Sequence, residues 1–313
     1  MSISIALRFA PFSHSPGTCC LIPFSTWQVQ VFPAKLIFTN LVGGEVEELC
    51  LPVEGPVKKF TVTLNLEKGR VEVIGHGKKG FFSYQITPAG LQWRKGEHTS
   101  LPFIKPVDLA PSKLRLSLGV KKKQEWDQVQ ARGEMKEVFP FWLKLASLIP
   151  EQPLSKKKWG ALQLLPDLER AFQAGFQGIL CPTTKDHNHL GLVPEEEVPG
   201  SVSPLPLLHA GAKQILSLFF SEVAEKVALL PALPKEFDAG KLTGAETKEG
   251  TLFDLEWSKR KLKKVVIHPK ADGEIQLALP RGANAFRVNK RDSWSSKKPL
   301  SLKKGQRLFL DRF

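Results

Sequence analysis

The chain has few of the residues that build a disulfide scaffold. Only four cysteines occur among its 313 residues: Cys19, Cys20, Cys50 and Cys181. Neighbouring residues of a strand point to opposite faces, so Cys19 and Cys20 are poor partners for each other. We therefore expect a reduced protein with a cytoplasmic location.

Long apolar runs are also absent. Lys, Glu or Pro interrupts every apolar run before it reaches the roughly 20 residues that a membrane-spanning helix needs. At the N-terminus, apolar residues alternate with polar or small ones from Ser2 to Phe9, which predicts a strand rather than a secretory signal. No membrane span is expected.

The motifs of several ligand classes are missing as well. The chain contains no phosphate-binding loop, Rossmann fingerprint or nucleophile elbow, so no cofactor is expected. It also has no Arg-rich tail, no zinc-ligand spacing and no pair of aromatic RNA-binding strand motifs. A specific nucleic-acid partner is therefore not predicted.

Positive charge, in contrast, is abundant. Forty-five Lys and Arg residues face 31 Asp and Glu residues, which gives a net charge of +14 and favours contact with anionic polymers. The lysines lie in short runs: Lys121–Lys123, Lys156–Lys158, Lys259–Lys264, Lys297–Lys298 and Lys303–Lys304. Such runs are typical of solvated faces as well as of polyanion-binding surfaces, and both interpretations stay open.

Hydrophobic periodicity divides the chain into three stretches. Residues 1–110 alternate as short strands with glycine-bearing turns such as Gly75–Gly80, which predicts an antiparallel β-sandwich-like domain. Residues 111–226 have helical spacing, with Pro140 and Pro166 at predicted first helical positions. Residues 227–313 alternate again, as in a β-sandwich, and Ala285–Val288 is one of the predicted strands. The predicted fold class is α+β, with a reduced helical middle.

The order of parts after Leu207 is distinctive. Apolar residues with helical spacing run from Leu207 to Val223, with Ile215, Phe219 and Val223 expected in the core, and the prolines of Leu229-Leu230-Pro231-Ala232-Leu233-Pro234 then end any helix. An alternating strand follows and ends at Trp257, which is predicted to face the core. Residues 207–265 thereby resemble the C-terminal region of glycoside hydrolase family 95, the α-L-fucosidase and α-L-galactosidase family.

The resemblance implies a carbohydrate-related protein in which a helix closes an (α/α)6 barrel and a β-sandwich ends the chain. The helical stretch here is too short for that barrel. Where the family has a catalytic Asp before its final barrel helix, this chain has residues 204–211, which contain no carboxylate. Inverting hydrolysis needs two activating groups that face each other across the sugar. We therefore expect little or no turnover of aryl α-L-fucosides or α-L-galactosides.

One dense group of titratable residues could still supply chemistry. It contains Asp186, His187, His189 and Glu196. The histidines could act as acid and base near neutral pH, and a carboxylate beside them is a metal-ligand type, but no third ligand occurs at a recognised spacing. No metal site is therefore predicted. The alternative is that this segment is a solvated loop.

Aromatic residues are the second group of candidates. A flat indole matches the C–H face of a pyranose ring, and four tryptophans are considered for this role: Trp93, Trp159, Trp257 and Trp294. We select Trp159 and Trp294, since Trp294 lies in a segment with loop composition. The chain is thus predicted to recognise or process a glycan. The alternative is a non-enzymatic adaptor or a binder of anionic polymers that keeps the hydrolase scaffold.

Overall fold

The structure is a computed structural model in which the protein is an α+β fold rich in antiparallel sheet, as the periodicity predicts. It describes residues 2–5, 8–119, 135–152, 166–176, 178–182, 204–223 and 226–313.

Contacts between residues divide the chain into two compact units. The first unit, which we call the pocket unit, comprises residues 8–110 and 124–211. The second, which we call the basic unit, comprises residues 1–7, 111–123 and 212–313. The three-part division at residues 110 and 226 stays a prediction.

Two antiparallel sheets form the β-structure of the pocket unit. The six-stranded sheet has the order β1 (Phe12–Ser13), β6 (Lys58–Asn65), β7 (Arg70–Gly77), β8 (Gly80–Thr87), β9 (Gly90–Trp93) and β10 (His98–Thr99). The four-stranded sheet has the order β2 (Thr18–Leu21), β3 (Trp27–Val31), β4 (Lys35–Asn40) and β5 (Val46–Cys50). Every second side chain in β3, β6 and the first half of β7 is buried, as the alternating sequence predicts.

The predicted strand at Ser2–Phe9 is wrong for the residues described. Positions 2–5 and 8–11 have no regular structure, and the first strand begins at Phe12. The carbonyl oxygens of Phe9 and Pro11 accept hydrogen bonds of 3.0 and 2.9 Å from the amides of Leu66 and Leu64. Pro11 has no amide to donate in return, so the segment runs beside the sheet without completing a ladder.

Two helices of the pocket unit are α1 (Met135–Ala146) and α2 (Leu168–Gly175). Pro140 lies inside α1 rather than at its first position, because burial of the surrounding Phe139, Phe141 and Trp142 side chains offsets the amide hydrogen bond that proline removes. Helix α2 begins after Asp167, whose side chain accepts hydrogen bonds of 3.1 Å from two backbone amides of the first turn.

The basic unit is also built from two sheets. The seven-stranded sheet has the order β11 (Arg115–Leu118), β14 (Gly240–Glu246), β15 (Leu252–Ser258), β16 (Lys261–His268), β21 (Leu308–Asp311), β18 (Ala285–Val288) and β19 (Asp292–Ser295). The four-stranded sheet has the order β12 (Phe220–Val223), β13 (Lys226–Leu229), β17 (Gly273–Ala278) and β20 (Leu300–Leu302). The pair β13 and β17 is parallel, and the other strand pairs are antiparallel.

Helix α3 (Pro204–Phe219) contains the boundary between the two units, and its last residues lead into β12. Ile215 and Phe219 are fully buried, which confirms that part of the predicted core face. Val223 is 70% exposed and lies on a strand, so its prediction as a helical core residue is wrong. The amides of Ala232 and Leu230 donate hydrogen bonds to the carbonyl oxygens of Leu218 and Phe219. The proline segment therefore supplies donors for carbonyl groups at the end of the helix.

Trp257 confirms the predicted core of the basic unit. Its ring is 1% exposed and lies 5.4 Å from the ring of Phe219, centroid to centroid. Its indole N–H donates a hydrogen bond of 3.1 Å to the carbonyl oxygen of Phe237. A buried indole therefore has both an apolar environment and a partner for its one donor.

Candidate functional site

Most of the site residues predicted from the sequence fall outside the described structure. Asp186, His187, His189, Glu196 and Trp159 all lie there. Their roles stay predictions.

Trp294 lies in the described part of the chain, on strand β19 and not in a loop. It is half-buried, it pairs across the strands with Phe286, and its indole N–H donates to the carbonyl oxygen of Lys298 at 3.4 Å. The pairing of β18 with β19 makes this polar segment a strand at the edge of the seven-stranded sheet, despite its loop-like composition.

A pocket of about 620 Å³ lies at the tip of the β7–β8 hairpin in the pocket unit. Three segments line it: 52–54, 77–83 and 93–97. Its volume is in the range of about 300–1,000 Å³ that ligand sites commonly occupy. Three aromatic side chains contribute to its wall: Phe81, Phe82 and Trp93.

Two glycines of β7 make room for this wall. The predicted turn at Gly75–Gly80 is shorter than expected, because Gly75 and Gly77 belong to β7 and only positions 78 and 79 connect it to β8. Gly75 pairs with Phe82, and a Cβ atom on it would lie 2.6 Å from Cζ of that ring. A Cβ atom on Gly77 would lie 2.8 Å from the carbonyl oxygen of Glu54. A side chain at Gly75 would therefore displace the Phe82 ring, and one at Gly77 would displace the backbone of Glu54.

The end of strand β9 and the turn after it form another part of the pocket lining. The amide of Arg94 donates to the carbonyl oxygen of Ser83 at 2.9 Å, which continues the contact with β8 for one more residue. The amide of Trp93 donates to the carbonyl oxygen of Glu97 at 2.8 Å and so closes a tight turn. These backbone hydrogen bonds hold the Trp93 ring and the Arg94 side chain at the pocket.

Tyr84 supports the aromatic wall from within. Its ring is parallel to Phe82 within 12° at 6.3 Å, and lies 4.9 Å from Trp93. The side chain is 2% exposed, and its hydroxyl oxygen has no hydrogen-bond partner within the residues that the structure describes. Burial raises the pKa of Tyr84 far above its usual range, so the phenol stays protonated.

The outer side of the wall carries charge. Phe81 is 42% exposed, and the guanidinium carbon of Arg94 lies 5.5 Å from the centre of its ring. Lys79 forms an ion pair with Glu54. Within the described part of the chain, Arg94 and Lys95 form no ion pair.

A second polar group lies in the basic unit, on β15 and β16. His268 Nε2 and Asp254 Oδ2 are 3.0 Å apart. Asp254 Oδ1 accepts a hydrogen bond of 2.9 Å from the amide of Gly244. The register of β14 shifts between Leu242 and Ala245, beside Gly244. Both carboxylate oxygens of Asp254 are therefore engaged in holding this irregular stretch of strand.

Metal-binding clusters and membrane-spanning helices are both absent from the residues that the structure describes. No cluster of three or more His, Cys, Asp or Glu residues is arranged to hold a metal ion there. Nor does any helix in those ranges combine the length and apolarity that crossing a membrane requires.

The residue type of Trp93 makes it a candidate for sugar stacking, but the alternating pattern around Phe81 and Phe82 indicates only a strand. A signal was available. Two consecutive aromatic residues in one strand point to opposite faces, so one of them cannot enter the same core as the other. The consecutive residues Phe81 and Phe82 in one strand therefore predict an aromatic side chain at the surface.

Comparison with protein families identifies a similarity in the basic unit. Residues 223–307 match the model of glycoside hydrolase family 95, C-terminal domain. The match spans strands β13 to β20 and confirms the resemblance noted in the sequence for residues 223–265. It does not include residues 207–222, and it extends further towards the C-terminus. A comparison with curated proteins found no match to the chain.

Proposed function

We propose that this protein recognises a carbohydrate in the pocket lined by Phe81, Phe82 and Trp93, and that a sugar ring packs against the rings of Phe82 and Trp93. The single observation that carries the proposal is this wall, half-exposed beside polar and charged groups. The similarity of residues 223–307 to a glycoside hydrolase domain supports a carbohydrate as the ligand class.

The composition of the pocket suits a sugar better than an apolar ligand. The C–H face of a pyranose can cover an aromatic ring, while its hydroxyl groups need donors and acceptors around the rim. The carboxylates of Glu54 and Glu97 and the hydroxyl group of Ser83 line the pocket and can accept or donate such hydrogen bonds. The apolar face of a sugar thus finds aromatic rings in the pocket, and its hydroxyl groups find polar side chains.

Tryptophan fluorescence of the whole chain, titrated with neutral oligosaccharides at low and high salt, tests this proposal. Stacking of a neutral sugar releases no counterions, so the response should be equal at both salt concentrations. Trp93→Ala should weaken binding about tenfold or more, as truncation of a central aromatic contact does. A panel of neutral and acidic oligosaccharides that all fail to bind would overturn the proposal.

Trp294→Ala is the matched control for this experiment, and it also tests the tryptophan selected from the sequence. If Trp294 rather than Trp93 is required for binding, the sugar lies on strand β19 and the pocket is not the site. Trp159→Ala tests the other tryptophan selected from the sequence in the same way.

Hydrolysis is proposed to be absent or weak. An inverting hydrolase holds its two carboxyl groups about 6.5–9.5 Å apart across the sugar. No such pair can be assembled from the sequence, and Asp186, His187, His189 and Glu196 remain the candidates for supplying it. The assay is release of the aryl group from α-L-fucosides and α-L-galactosides. Robust turnover that disappears in Asp186→Asn or Glu196→Gln would instead assign catalysis to that segment.

A second candidate function, binding of an anionic polymer, is favoured by the distribution of charge. Residues 226–313 contain 20 Lys and Arg residues against 10 Asp and Glu residues. Attraction of this kind comes from released counterions, so affinity for a polyanion without sugar residues, such as polyphosphate, should fall steeply with salt. A ligand response that occurs only with polyanions, and that moderate salt abolishes, would favour this function over sugar recognition.

A further inference from the structure

The cations of the pocket differ in how they are compensated. The carboxylate of Glu54 already neutralises Lys79. Arg94 and Lys95 have no ion-pair partner in the described ranges, while Glu97 is the one remaining carboxylate among the pocket-lining residues. The pocket therefore retains an excess of positive charge after its internal ion pair is formed.

Arg94 is held in a geometry that leaves its hydrogen-bonding edge available. Its backbone amide is fixed to Ser83, and its guanidinium lies over the exposed ring of Phe81. Within the residues that the structure describes, the guanidinium forms no hydrogen bond or ion pair, so its N–H donors are available to a ligand. Those donors form the fork that matches a carboxylate in a bidentate pair.

We infer that the sugar recognised by this pocket carries a carboxylate, as in a uronic acid, and that Arg94 binds that carboxylate while the pyranose ring packs on Trp93. The inference rests on the proposed function and specifies its ligand class. An aromatic wall alone fits any pyranose, and an arginine alone fits any anion. A uronic acid satisfies both groups at once because it carries the anion on the ring.

Competition between an acidic and a neutral sugar tests the inference. The probes are a digalacturonate disaccharide and the neutral digalactoside with the same linkage, titrated by tryptophan fluorescence at about 0.15 M ionic strength, where charges beyond about 8 Å are screened. The digalacturonate should bind about tenfold more tightly, the effect expected of one charge-assisted hydrogen-bonded pair. Arg94→Gln should remove this preference, so that the two disaccharides bind with equal affinity.

Two control variants separate a specific pair from general attraction. Arg281→Gln removes the same charge from an exposed turn of the basic unit and should keep the tenfold preference. Arg94→Lys keeps the charge but loses the bidentate fork, so part of the preference should return. If Arg281→Gln reduces the preference as much as Arg94→Gln does, the assignment to Arg94 is wrong.

The remaining outcomes distinguish the inference from the proposed function. Equal binding of both disaccharides, abolished by Trp93→Ala, would overturn the acidic-sugar inference and leave sugar recognition intact. Failure of both disaccharides together with the wider oligosaccharide panel would overturn the proposed function itself. Preference for digalacturonate that survives Arg94→Gln would place the carboxylate elsewhere and overturn the inference.

Discussion

Most of the large aromatic side chains of the basic unit point inwards, whereas those at the tip of the β7–β8 hairpin lie at or near the surface. Phe219, Phe253 and Trp257 are at most 1% exposed, while Phe81 is 42% exposed. The excess of positive charge, in contrast, is larger in the basic unit than in the part of the chain that contains the hairpin. Residues 226–313 have 20 basic residues against 10 acidic ones, and residues 8–110 have 11 against 8.

This contrast separates two kinds of attraction that a basic carbohydrate-related protein could use. Exposed aromatic surface favours ligands with an apolar face, and its effect is insensitive to salt. A dense positive charge favours any polyanion, and its effect is screened by salt. Because the two features lie in different units, substitutions in one unit can remove one kind of attraction and preserve the other.

The largest expected effect comes from the core of the basic unit. Phe219→Ala should lower the free energy of unfolding by about 3–5 kcal/mol, because it leaves a cavity between the rings of Phe237 and Trp257. Chemical denaturation measures this change. Val223→Ala is the control from the same segment, and should change stability by less than about 0.5 kcal/mol because the side chain is exposed.

A smaller loss is expected from Gly211→Ala in helix α3. Alanine ordinarily stabilises a helix relative to glycine, but here its Cβ atom would clash with the buried ring of Trp142. That ring is fixed, because its indole N–H donates at 2.7 Å to the carbonyl oxygen of Leu208. Overpacking of this kind costs about 1–3 kcal/mol.

Thermal unfolding measures this loss. Gly273→Ala, at the start of strand β17, is the comparison for an added methyl group without a clash, since a Cβ atom there meets nothing within 4 Å. A Gly211→Ala variant that is as stable as the wild type would mean that the Trp142 ring can move aside.

Charge reversal in the basic unit should have a moderate effect that is confined to polyanions. Lys297→Glu with Lys298→Glu should lower affinity for polyphosphate and reduce the salt slope by roughly one unit per lost contact. Both side chains are exposed and follow strand β19. Binding of a neutral sugar should not change. Conversely, Arg94→Gln should change affinity for polyphosphate, which contains no sugar ring, much less than this pair of substitutions does, and a large loss there would mean that the pocket binds the polymer.

The smallest effect expected is on cysteine chemistry. Burial raises the pKa of Cys19 to about 11 and raises that of Cys20 well above its usual range, so both stay protonated at pH 8. Cys50 is exposed and should be the first of the four thiols to react with iodoacetamide. Mass spectrometry of the folded protein should find one fast modification, absent in Cys50→Ser. All four thiols should react in denaturant, and rapid modification of Cys20 in the folded protein would contradict its burial.

The local pattern of apolar residues was sufficient to predict much of the β-structure. The strand predicted at Ala285–Val288 has the same bounds in the structure, and Trp257 faces the core as its alternation with Phe253 and Leu255 indicates. Such predictions succeed because the period of two depends only on neighbouring residues of one strand. The resemblance to a glycoside hydrolase domain also came from residues close together in the chain.

Strand pairing and burial explain the places where those predictions are wrong. Apolar residues at Phe219, Phe220 and Val223 fit a helix, but Phe220 pairs with Leu229, and this contact ends α3 and starts a strand. Pro140 fits a helix start by its own chemistry, but the burial of its neighbours carries α1 through it. In both cases the tertiary contacts outweigh a local preference of a few kcal/mol.

The sequence by itself determined the fold class, the excess of positive charge and the C-terminal domain's resemblance, because each follows from composition or from residues near one another in the chain. Only the tertiary structure placed Phe82 against Gly75, Arg94 over Phe81 and Trp93 beside Tyr84. The register between strands brings these residues together, and register depends on hydrogen bonds and packing along the whole length of two strands. The pocket is therefore a property of the paired sheet, which no single segment of the chain contains.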